Sequence, residues 1–131
     1  MKHAERALTN QAPTAAHPVT VDFSGHWVNE LGSYMDLTLA GNTLSGNYVS
    51  AKSKGGGATP PFPIVGTVSG DLISWTVNWG VMITAWVGHG VIQKDGTVRI
   101  LTLWQIIQVV ADETDPGEQW KTVLAGADEF W

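Results

Sequence analysis

The chain has 131 residues, of which 15% are charged, and seven Lys and Arg stand against 12 Asp and Glu for a net charge of −5. A domain of this length buries roughly two-thirds of its unfolded surface and needs no staple; with no cysteine it has none, which excludes a thiol nucleophile, a zinc–cysteine centre and an iron–sulfur cluster. Seven basic residues build no phosphate-tracking stripe, so nucleic acid is not an expected partner, and no apolar run approaches the roughly 20 residues of a membrane-spanning helix.

Residues 1–20 carry Lys2 and Arg6 among Ala, Thr and Pro without a continuous apolar centre. They read as a disordered leader or as a mature N-terminus left by processing, ahead of one domain over 21–131. From Phe23 onward, alternation with a period of two dominates, the signature of half-buried strands. Strands are predicted over 23–29, 34–39, 43–51, 62–68, 72–79, 82–92, 97–108 and 120–130. Turn signals separate them: Leu31-Gly32, Ala40-Gly41-Asn42, Ser69-Gly70-Asp71, Gly80-Val81 and Lys94-Asp95-Gly96. The stretch 52–61 is glycine-rich and 111–119 is polar, so both are expected loops. Eight strands joined mostly by short turns predict an all-β fold, an eight-stranded antiparallel up-and-down β-barrel. Closure removes the sheet edges, and the interior of such a barrel has room for one small ligand.

Parity assigns the two faces of each strand. Trp27 and Asn29 share the interior, as do Ser33 with Met35 and Leu37, Tyr48 with Ser50, and Trp75 with Val77 and Trp79. Thr84 and Trp86 share it on the sixth strand, Trp104 on the seventh, and Leu124, Gly126, Asp128 and Phe130 on the eighth. These sets mix apolar bodies with a few polar groups, the composition of a ligand cavity. The opposite face is polar on the first three strands, with His26, Glu30, Asp36 and Asn47. On the last three it is apolar, with Ile83, Val87, Leu103 and Ile107. Strands apolar on both faces are buried on both faces, so this wall is expected to meet another subunit.

Six segments, in order, carry a resemblance. They are Gly25-His26-Trp27-Val28-Asn29-Glu30-Leu31-Gly32-Ser33, Leu44-Ser45-Gly46-Asn47-Tyr48-Val49-Ser50-Ala51, Trp75-Thr76-Val77-Asn78-Trp79, Thr84-Ala85-Trp86-Val87-Gly88, Thr102-Leu103-Trp104, and the stretch from Trp120 to Phe130. Together they resemble the avidins and streptavidins over nearly the whole predicted barrel; streptavidin is itself a known case of an eight-stranded barrel that holds one small ligand. The resemblance implies biotin as ligand, bound without covalent chemistry or cofactor. Asn29, Ser33 and Tyr48 would donate to the ureido oxygen, and Ser50 and Asp128 would accept from the ureido N–H groups. Thr84 would approach the thioether sulfur, and Trp79, Trp86 and Trp104 would wall the bicycle and the valeryl chain. Trp120 would cap the site of a neighbouring subunit in a homo-oligomer, a tetramer being favoured and a dimer possible. A secreted or periplasmic location is implied as well.

Two departures bear on this expectation. Met82 stands where the family often has a serine for the biotin carboxylate, so that contact is expected from Lys52, Ser53 or Lys54 in the loop after the third strand. The tight Ser69-Gly70-Asp71 turn resembles a dimeric branch of the family that lacks the capping tryptophan, yet Trp120 is present. No catalytic or metal site is expected. One inward carboxylate is not the pair a glycosidase uses, and no two histidines have ligand spacing. A lipocalin-like carrier of another small ligand is the alternative, and it predicts a greasy cavity without an aimed carboxylate.

Overall fold

The structure, a computed structural model, describes residues 20–53, 56–109 and 123–131. Eight strands follow one another: β1 (Gly25–Val28), β2 (Tyr34–Ala40), β3 (Thr43–Val49), β4 (Phe62–Ser69), β5 (Leu72–Asn78), β6 (Met82–Ile92), β7 (Val98–Gln108) and β8 (Val123–Phe130). Each pairs antiparallel with the next, so sheet order is chain order. The sheet curls until its ends meet. Asn29 bridges Phe130, and Val28 and Trp131 exchange both backbone hydrogen bonds at 3.0 Å. This is the up-and-down barrel that the alternation predicts.

The hairpins show why the register holds. Ala40 pairs with Thr43 and Ser69 with Leu72, which leaves two-residue loops, Gly41-Asn42 and Gly70-Asp71. In each the glycine comes first and has positive φ, 60° and 61°, while no other residue type does so anywhere among the described residues. That combination suits the tight turns whose twist matches flanking strands.

Four strands are shorter than their pattern predicts, each for a local reason; the seventh begins at Val98 rather than at 97 because Asp95 accepts from the Thr97 backbone N–H and hydroxyl, which holds Thr97 in the turn. The first begins at Gly25 because Asp22 accepts from the Ser24 backbone N–H and hydroxyl, which turns the chain before it. The third ends at Val49 because the Ser50 hydroxyl donates to the Lys52 carbonyl. The fifth ends at Asn78, whose side chain accepts from the Gly80 N–H. The predicted start of the eighth strand, 120–122, and the predicted leader over 1–19 lie outside the described residues.

One end of the barrel is filled. Phe23, Leu44, Ile73, Ile100 and Phe130 are fully buried there. The segment from Val21 to Phe23 crosses beneath them, tied by the Val21 N–H to the Gly70 carbonyl and by the Trp27 indole to the Phe23 carbonyl. Trp75 stacks on Trp86, with ring centroids 5.2 Å apart and planes 14° apart, and is the floor on which the open end rests. Trp27 and Trp75, both inward by parity, are thus part of the core and do not line the cavity.

Candidate functional site

At the open end the residues that close β1, β3, β5 and β7 meet the first residues of β2, β4 and β6, and Asp128 joins them from the later part of β8. They surround a cavity of about 380 Å³, within the roughly 300–1,000 Å³ usual for small-ligand sites. Asn29, Ser33, Tyr48, Ser50, Trp79, Thr84, Trp86, Trp104 and Asp128 all line it, and so do Lys52, Ser53 and Met82. Trp120 and Lys54 lie outside the described residues. The exterior position of His26 and Asp36 also agrees with parity; their side chains pair across β1 and β2 at 2.8 Å. His89 is exposed and faces outward.

The hydrogen bonds already present fix which role each polar group has left to offer. The Asn29 side-chain oxygen accepts from the Leu31 and Ser33 backbone N–H groups, both at 3.0 Å. Its amide NH₂ is what remains to donate. The Ser33 hydroxyl oxygen accepts from the Ala51 N–H at 2.9 Å, which turns its proton outward as a donor. Tyr48 is held far above the ordinary phenol range, first by burial and then by the Asp128 charge, against the opposing pull of the Ser33 hydroxyl. It stays a neutral O–H donor. The Ser50 hydroxyl sends its proton to the Lys52 carbonyl at 2.8 Å, so its oxygen is an acceptor. Three donors and one hydroxyl acceptor thus share the cavity.

Asp128 is the carboxyl group among the lining residues. It is half-buried and accepts from the Trp86 indole N–H at 3.1 Å. Burial raises it above the ordinary carboxyl range. The Trp86 N–H pulls the other way, and the neighbouring Glu30 carboxyl adds to the rise. The Trp79 indole donates to Thr84 at 2.9 Å, which fixes both side chains. Tyr48 lies 4.9 Å from Trp86, tilted, and meets Trp79 edge-on at 5.9 Å. Trp104 lies flat on β8 because residue 126 is glycine: a Cβ there would fall 2.5 Å from the indole.

Four lining residues escaped the site expected from sequence: Leu31, Thr59, Phe62 and Ile106. Phe62 pairs directly with Tyr48 and packs edge-on against Trp79 at 4.9 Å. Its parity with Tyr48 is the signal that could have found it. Ile106 shares the face of Trp104 and could have been found the same way. Thr59 has no such signal. It belongs to a loop and reaches the site because its backbone N–H donates to the Ser50 carbonyl at 2.9 Å, while its hydroxyl accepts from the Ser50 N–H. Leu124 shares the inward parity of β8, yet it is exposed at the strand's start, beyond the cavity lining.

The Avidin family model matches residues 17–131 of the chain. The chain belongs to the avidin family. Afifavidin from Afifella pfennigii is 36% identical over 91 residues, covering 63% of this chain and 56% of that protein, so the match spans little more than half the relative's length. Among solved structures, xenavidin superposes with a TM-score of 0.74 at 23% identity, covering 85% of this chain and 97% of that one. A shwanavidin variant in complex with biotin superposes at 0.67 with 26% identity, covering the same shares. An avidin barrel is therefore the frame in which the cavity's donors and acceptors are to be read.

Proposed function

We propose that the cavity binds biotin reversibly and without catalysis. The observation that carries this is the convergence of Asn29, Ser33, Tyr48, Ser50 and Asp128 in a cavity walled by Trp79, Trp86 and Trp104. A cyclic urea needs donors at its oxygen and acceptors at its two N–H groups. Asn29, Ser33 and Tyr48 meet the first need; Ser50 and Asp128 meet the second. A carboxylate accepting one N–H draws electron density toward the urea oxygen, which strengthens the donors' hold there. Thr84 faces the thioether. Lys52, at the mouth, supplies a point charge for the biotin carboxylate where Met82 supplies none. The indole walls are held by Trp79–Thr84 and Trp86–Asp128 bonds before any ligand arrives, so little ordering entropy opposes binding.

The chain would act as a homo-oligomer. The outer face of β6 and β7 leaves Ile83, Val87, Leu103 and Ile107 exposed, and nothing among the described residues covers them. A lipocalin-like carrier is the weaker reading, because five polar groups aimed into the cavity would oppose a purely apolar ligand. Titration with biotin followed by tryptophan fluorescence tests the main reading. One biotin per chain with a saturating change in emission is the expected result; an emission spectrum indifferent to excess biotin would refute it.

A further inference from the structure

We propose that Thr59 is a positioning residue for Ser50: it holds the chain where β3 ends, so that the Ser50 hydroxyl meets the ligand as an acceptor. This role rests on the reading of the cavity as a biotin site, in which Ser50 accepts a ureido N–H.

The arrangement follows from where the β3–β4 ladder stops. Its last pair at the open end is Tyr48 with Phe62. Continuing that register would set Val49 and Ser50 against Pro61 and Pro60, which have no N–H to give. Ser50 therefore leaves the ladder just where its side chain lines the cavity. Thr59 becomes its partner in two ways. The Thr59 backbone N–H donates to the Ser50 carbonyl at 2.9 Å, and the Thr59 hydroxyl oxygen accepts from the Ser50 N–H at 3.0 Å. A side-chain oxygen thus takes the place of a ladder acceptor. The prolines also steady the partner. Each ring fixes its own φ, and a residue ahead of proline is confined to extended backbone, so Thr59 has few other conformations open to it. Phe62, directly after the prolines, is tied to Tyr48 by the ladder.

The consequence falls on the Ser50 hydroxyl. A serine O–H rotates to suit its surroundings unless something takes its proton. The Ser50 proton goes to the Lys52 carbonyl at 2.8 Å, and the Lys52 N–H returns to the Ser50 oxygen at 3.3 Å. This turn starts from the backbone direction that Thr59 fixes. With Thr59 in place, the oxygen presents a lone pair to the cavity, and a ligand N–H finds an acceptor. Without it, the backbone at Ser50 can turn, and the proton is free to face the ligand N–H and repel it. Thr59 thus sets the polarity of a contact that Ser50 makes.

Thr59 itself lines the cavity, so a direct contact with the ligand is the rival explanation, and a double-mutant cycle separates the two. Biotin affinity is measured by competition on the full chain. Thr59→Val keeps the shape and removes the acceptor; it should weaken biotin about five- to tenfold, the size of one neutral hydrogen bond. Thr59→Ala should do the same, and Thr59→Ser, which keeps the hydroxyl, should stay within about twofold. In a Ser50→Ala background, Thr59→Val should cost less than about twofold, because no hydroxyl is left to aim. An equal loss in both backgrounds, or a Thr59→Ser variant as weak as Thr59→Val, overturns the proposal. Amide hydrogen exchange of the ligand-free protein adds a test that needs no ligand. The Ser50 N–H should exchange about tenfold faster or more in Thr59→Val and keep its protection in Thr59→Ser; an unchanged Ser50 rate in Thr59→Val overturns the proposal. If the unaltered chain binds no biotin, the biotin reading fails, and the exchange rates still decide whether Thr59 holds Ser50.

Discussion

At the scale of single residues, the site keeps one acid where it is least comfortable. Asp128 is half-buried and raised above the ordinary carboxyl range chiefly by that burial. A raised acid binds more protons folded than unfolded. Its charge therefore costs stability above its folded pKa, and the cost fades as pH falls toward the ordinary carboxyl value of about 4. Asp128→Asn removes the charge and keeps an oxygen for the Trp86 N–H. The ligand-free variant should melt a few degrees higher at pH 7 by calorimetry, with the gain disappearing below about pH 4. Biotin should bind roughly tenfold more weakly or worse, because a ureido N–H loses a charged acceptor. A variant with unchanged affinity would remove Asp128 from its role.

At the scale of elements, strand parity was the legible part. Alternation placed Tyr48, Thr84, Trp86, Trp104 and Asp128 inward on four different strands, and the hairpin pairings put them around one cavity. Parity stops where strands stop. Thr59 enters the site through loop hydrogen bonds, and Glu30 reaches the Glu129 backbone N–H from a turn after β1, across the barrel's closure. Neither contact leaves a periodic trace, because each depends on how distant ends of the chain meet. Gly126 shows a subtler element-level fact. On β8 it pairs with Trp104 of β7, and its missing side chain is the space in which the indole lies. Gly126→Ala would put a Cβ 2.5 Å from the ring and drive it into the cavity. The barrel should still fold, since the ring can swing at its outer edge. Biotin should bind about tenfold more weakly or worse, a change near 1.4 kcal/mol, read from competition with a weaker biotin analogue. Equal affinity would show that Trp104 tolerates displacement and is no wall.

At the scale of the whole molecule, the barrel has two unlike outsides. On β1 and β2 the surface carries the exposed His26–Asp36 pair. On β6 and β7 it carries Ile83, Val87, Leu103 and Ile107, with Leu103 71% exposed. Each such side chain left in water forgoes roughly 1.5–3 kcal/mol of burial, so a second copy is the occupant that would gain most from covering them with the same face. Leu103→Glu tests this, because it places a charge near the middle of that face without touching the cavity: Leu103 is not among the residues that line it. Native mass spectrometry of the unaltered chain should give a multiple of 14.1 kDa, and the variant should fall toward one barrel. A lone barrel in both would dismiss the shared face. The variant's biotin titration then separates two roles for the assembly. If a neighbour's Trp120 caps the site, dissociation should weaken biotin together with the mass change; if subunits only pack, the isolated barrel should keep its affinity, since the other cavity residues assigned to biotin all come from one chain.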